Sequence, residues 1–85
     1  MSEINRQVRE IGALFAGRLP SAVLEDALDY LRANEFGLAL YVLCEQLIEY
    51  DVKITASEYS RVRSLAGFMY PDSLSLPRLV EQVVP

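Results

Sequence analysis

Apolar positions recur at helical intervals along almost the whole chain. Ile4, Val8, Ile11 and Leu14/Phe15 repeat every three or four residues, the stripe of an amphipathic helix. Gly17 is placed to end that helix in a left-handed cap, and Pro20 or Ser21 to open the next. Leu24, Leu28 and Leu31 then form a second stripe, widened by Val23 and Ala27, and Asn34 marks a break. The third stripe is the strongest: Phe36, Leu40, Leu43, Leu47 and Tyr50 share a face, with Ala39, Cys44 and Ile48 beside them. Gly37 sits in the first turn of that helix, where glycine is better tolerated than in the interior.

The residues Asp51-Val52-Lys53-Ile54 read as a connector. In Thr55-Ala56-Ser57-Glu58 the spacing of threonine and glutamate is that of a capping box, each side chain meeting the other's backbone amide. A fourth stripe follows, Val62, Leu65, Ala66 and Met69, and Pro71 is placed to stop it. A short fifth helix is expected near Pro77, with Leu76, Leu79, Val80 and Val83 as its apolar face. Strand signals are weak, since Val52 to Thr55 alternates too briefly to found a sheet. The pattern predicts an all-α fold: one domain over residues 1–85, a bundle of four helices plus a short C-terminal fifth.

Composition narrows what such a bundle would do. With 52% apolar residues the chain can build a core despite its 85 residues. It has one cysteine, no tryptophan and no histidine. That removes imidazole bases, Ser–His and Cys–His nucleophiles and histidine-liganded zinc. A lone Cys44 forms neither an internal disulfide nor a thiolate cage, which points to a cytoplasmic protein. In an apolar run it reads as a small buried hydrophobe. The opening residues lack a signal-peptide core, and the longest apolar run, Leu38 to Cys44, is far short of a membrane span. The expectation is a protein that is not an enzyme.

Charge adds a direction. The net charge is −4, unsuited to nucleic acid, whose phosphates draw on surplus Lys and Arg. The segment 25–51 holds Glu25, Asp26, Asp29, Glu35, Glu45, Glu49 and Asp51 against Arg32 alone, a net −6, while the flanking segments are each +1. Glu45 and Glu49 stand one turn apart, a spacing at which like charges repel slightly. This is either a solvated face kept for solubility or a surface that steers a basic partner into place. Tyr30, Tyr41 and Tyr50 accompany it. Tyr41 lies with Leu38 and Glu45 away from the core stripe and is the better candidate for exposure, whereas Tyr30 and Tyr50 sit close to core positions. Glu35 is placed to cap the third helix or hold the turn before it.

Two other chemistries fit these residues less well. Asp72-Ser73-Leu74 matches the attachment triplet of acyl carrier proteins, but only 11 residues follow it, so it reads as turn and cap chemistry. Glu45 and Glu49 have no second carboxylate pair or calcium-type loop to make a metal site.

The run Asn34-Glu35-Phe36-Gly37-Leu38-Ala39-Leu40, followed by Leu43-Cys44-Glu45-Gln46-Leu47-Ile48-Glu49-Tyr50-Asp51, resembles the central pattern of Maf-type immunity proteins. These are similar to some immunity proteins of contact-dependent inhibition systems. Their pattern is Glu, a variable residue and Gly-Leu-Ala, then a helix with Leu-Cys-acid-Gln-Leu and a closing Glu-Tyr-Asp. Downstream, Ile54-Thr55 with Glu58-Tyr59 fits the family's polar cap and Leu65-Ala66 its helical core. The likeness spans roughly residues 20–70. It implies a bacterial cytoplasmic antidote that binds the C-terminal toxin domain from a sibling cell, often an RNase or DNase, and blocks it without catalysis or cofactor. Such a nuclease needs a basic groove, which an acidic helical face would fill or occlude. The expected contacts are Glu25, Asp26, Asp29, Glu45, Glu49 and Asp51, with Tyr41 as anchor; neither nucleic acid nor membrane is an expected partner. The alternative is a helical adaptor or self-associating module.

Overall fold

A computed structural model describes residues 3–67 and 76–85. The architecture is the expected all-α bundle: α1 (Glu3–Leu14), α2 (Ser21–Asp29), α3 (Phe36–Glu49), α4 (Ala56–Ala66) and a short α5 (Leu76–Leu79). Helix α3 is the centre. Its residues Ala39, Leu40, Leu43, Cys44 and Leu47 have no solvent exposure, and it packs against α1, α2 and α5. Helix α1 completes the frame by also holding α2 and α4, with Val8, Ile11 and Phe15 buried as its stripe requires. Its close approach to α2 uses Gly12, where a Cβ would lie 2.9 Å from a Leu28 methyl.

The breaks are local chemistry. Gly17 adopts φ +86°, open to glycine at little cost, and the chain turns there as the Arg18 amide donates to the Phe15 carbonyl at 2.9 Å. Pro20 holds the N-cap position of α2, with Ser21 as its first helical residue. After Asp29 the helix tightens into a 3₁₀ turn, Tyr30–Ala33, and ends at Asn34 in the left-handed region (φ 58°), a conformation asparagine tolerates. Asp51, at φ 51°, closes α3 in the same way. The capping box of α4 is complete: the Glu58 amide donates to Thr55 Oγ1 at 3.0 Å and the Thr55 amide to Glu58 Oε1 at 2.8 Å.

Among the described residues there is no strand, only isolated bridges. One joins the connector to the C-terminal segment: the Ile54 amide donates to the Gln82 carbonyl at 3.0 Å and the Val84 amide to the Ile54 carbonyl at 2.9 Å. The apolar face expected of the fifth helix is corrected here. Leu79 is buried, but Val80 is 47% exposed and Gln82 takes the inner position. The cause is a tightening to 3₁₀ geometry over Val80–Gln82, where three residues make a turn and Gln82 falls under Leu79, while Val83 still packs half-buried against the core as expected. Its amide is satisfied by Asp51 Oδ1 (2.9 Å) and the Val52 carbonyl (3.1 Å). The expected Met69 position and Pro71 stop lie outside the described residues, as does the Leu76 side chain.

Arg18 ties three of these pieces together. Its guanidinium donates to the Leu14 carbonyl (2.7 Å), to the Lys53 carbonyl (3.3 Å) and to both oxygens of Glu58, one at 3.1 Å. It also lies 4.8 Å from the Phe15 ring centroid, within cation–π range. The end of α1, the connector and the start of α4 therefore share one side chain. By contrast Arg6, paired with Glu3 and Glu10 on the outside of α1, contributes little because all three side chains are solvated.

Two stability predictions follow from this packing. Leu43→Ala or Leu47→Ala removes a fully buried side chain from α3 and should cost about 2–5 kcal/mol in chemical denaturation. The Arg18 hydrogen bonds hold the Glu58 carboxyl below its usual pKa against the opposing effect of burial, with the Thr55 amide assisting. A depressed carboxylate stabilises the fold above its unfolded value of about 4.3, and that gain is lost as pH falls through the folded value. Glu58→Gln should therefore be less stable than the parent at pH 7, with the gap narrowing at pH 4 and below. A gap independent of pH would rule out the ion pair as its source.

Candidate protein-binding surface

The acidic residues expected to make contacts fall into three sets. Glu25, Asp26 and Asp29 project from the exposed side of α2. With Arg9 of α1, Leu28 and Arg32 they line an open groove of about 460 Å³. Arg32 Nε lies 3.1 Å from Asp29 Oδ1. Both of those side chains are mostly solvated, so the pair orients charge more than it stabilises. Arg9 reaches Asn5 Oδ1 at 3.3 Å.

The second set lies on α3. Leu38 (41%), Tyr41 (37%), Glu45 and Glu49 follow one another along its outer side. The Glu45 carboxylate accepts a hydrogen bond from the Tyr41 hydroxyl, which raises the phenol's pKa. It also faces Arg78 of α5 at 3.4 Å. Tyr41, Glu45 and Arg78 thus form one polar relay at the border of α3 and α5.

Asp51 is the third, and its surroundings are those of a structural group. It accepts from Lys53 Nζ and from Gln82 Nε2, each at 2.9 Å. Those bonds, Lys53 first, hold its carboxyl below the usual range. Reversing its charge would loosen the C-terminal segment as well as any contact, so Asp51 is a poor probe of binding.

The tyrosines differ from expectation. Tyr30 (39%) and Tyr50 (49%) are at least as exposed as Tyr41. Each stands where the helical period fails: Tyr30 starts the 3₁₀ turn and Tyr50 is the C-cap of α3. Their phenols are therefore not carried onto the buried stripes. Glu35 occupies the N-cap position of α3, but its side chain makes no cap bond. It holds the turn through its backbone instead, its amide donating to the Tyr30 carbonyl at 3.0 Å and its carbonyl accepting from Ala39 at 2.9 Å.

One feature was missed from the sequence. A second groove of about 420 Å³ separates α1 from α4, with Arg6, Gln7 and Glu10 on one wall and Ser57, Ser60, Arg61 and Ser64 on the other. Its floor includes Ile11 and Leu65. The recurrence of serine at positions 57, 60 and 64 was the available signal, since it places small polar residues along one helical face.

Among the described residues no cluster of three or more acidic, cysteine or histidine side chains could hold a metal ion, and no helix is long and apolar enough to cross a membrane. The Asp72-Ser73-Leu74 triplet lies outside the described residues. No family model, curated protein or solved structure matches the chain.

Cys44 is buried, and desolvation, aided by the nearby Glu45 charge, pushes its thiol up to about 12. A thiol in that state is a weak nucleophile at neutral pH. Native protein at pH 8 should react with a disulfide reagent at least about tenfold slower than protein in denaturant, because labelling awaits local opening. Equal rates would contradict this burial.

Proposed function

We propose that the chain is an immunity protein: a bacterial cytoplasmic antidote that binds a cognate toxin domain and blocks it without catalysis, the toxin being a nuclease with a basic substrate groove. The observation that carries this reading is the acidic side of α2, where Glu25, Asp26 and Asp29 stand exposed around an open groove. That side is borne on a helix whose opposite face, through Ala27, is buried in the core. Side chains carried on helices are held more precisely than those on loops, which suits docking. The likeness of residues 34–51 to Maf-type immunity proteins supplies the biological role, and the histidine-free composition agrees with a protein that acts by binding.

The arrangement also suggests how the acids would act. Carboxylates at the rim of a contact attract a basic surface over a Debye length and set its register, raising the association rate more than the lifetime of the complex. The exposed apolar residues Leu38 and Val80 favour a second reading, a self-associating helical module, which light scattering at micromolar concentration would reveal as a dimer.

The test is neutralisation of a basic nuclease toxin domain that co-purifies with the tagged chain. Reversing Glu25, Asp26 and Asp29 to Lys should slow association about tenfold or more at low salt and flatten its salt dependence. These side chains are exposed, so the melting temperature should stay near that of the parent. Unchanged association kinetics and protection would sink the assignment of this surface.

A further inference from the structure

We propose that the outer stripe of α3, formed by Leu38, Tyr41, Glu45 and Glu49, is the anchoring contact for the toxin domain, and that the element it fits presents an apolar side chain followed by Arg or Lys. This rests on the immunity reading and adds to it the chemistry of the bound element. Tyr41 follows Leu38 by one turn, and Glu45 and Glu49 continue the line one turn at a time. Glu45 lies seven positions after Leu38, so the two ends of the apolar-to-acidic line are roughly 10 Å apart along the axis. A partner must match both.

The stripe is carried by the helix at the centre of the core. The reverse face of α3 is Leu40, Leu43, Cys44 and Leu47, all without exposure, so the outer residues are displayed by a helix that cannot shift without opening the core. Tyr41 is further held by its hydroxyl bond to Glu45, which Arg78 in turn faces. A large aromatic fixed before binding loses little entropy on contact and suits a hot spot.

Charge selects the occupant. Of the stripe's two carboxylates Glu45 faces Arg78 at 3.4 Å and Glu49 is exposed to solvent, and the whole chain is −4. A second copy would bring a further −4 against it, whereas a basic toxin domain complements it. The two acidic sets then divide the work, α2 governing encounter and the α3 stripe governing residence.

The experiment measures binding of the chain to a catalytically inactivated form of that same toxin domain. Leu38→Ala and Tyr41→Ala should each weaken affinity about 30-fold, mainly through faster dissociation. Tyr41→Phe, which keeps the apolar area, should stay within about threefold. Thermal melting checks that each variant is folded. If the parent chain binds and protects while both alanine variants bind as tightly, the stripe is not the anchor and the immunity reading stands. If Tyr41→Phe loses as much as Tyr41→Ala, the apolar part of the proposal fails. A parent chain that neither binds nor protects overturns the immunity reading and this contact with it. A dimer in light scattering that Leu38→Ala dissolves would assign the stripe to a second copy instead.

Discussion

Everything in this small bundle depends on the burial of one face of α3. A chain of 85 residues can build a single core, and here that core is assembled around Ala39, Leu40, Leu43, Cys44 and Leu47. Helices α1, α2 and α5 are each placed by contact with that face, while α4 reaches the body through α1. The same burial fixes which residues of α3 look outward, and so determines a surface where apolar and acidic groups stand in line.

The helices were legible from the sequence because their period survives into the structure. The capping box at Thr55 and Glu58, the left-handed break at Asn34 and the turn at Gly17 were readable for the same reason: each is a local requirement met by a local residue. The errors cluster where the period changes. Tyr30, Tyr50 and Val80 were placed by a repeat of 3.6 residues, but all three stand at helix ends or in 3₁₀ turns where that repeat no longer applies. Gln82 filling an inner position could not be read from hydropathy, because what makes it acceptable is a pair of acceptors on Asp51 and Val52, some 30 residues away in sequence.

The candidate surface was legible as composition but not as geometry. A net −6 over residues 25–51 is visible in the sequence. That Asp51 spends its carboxylate on Lys53 and Gln82, that Glu45 meets Arg78, and that Glu25, Asp26 and Asp29 share a groove with Arg9 are matters of tertiary placement. Counting charge along the chain treats these acids as equivalent. Their partners separate those that hold the fold from those that face outward.

The carboxylate of Glu58 has a consequence for how the bundle assembles. One oxygen accepts from the Thr55 amide of its own helix and also from Arg18, 40 residues earlier in the chain. Helix initiation and tertiary docking thus compete for nothing and reinforce each other through a single atom. A nascent α4 that has formed its cap already displays the acceptor that Arg18 needs, and once Arg18 is in place the cap is harder to unwind. Local order and long-range order in this part of the chain are therefore gained and lost as one cooperative unit.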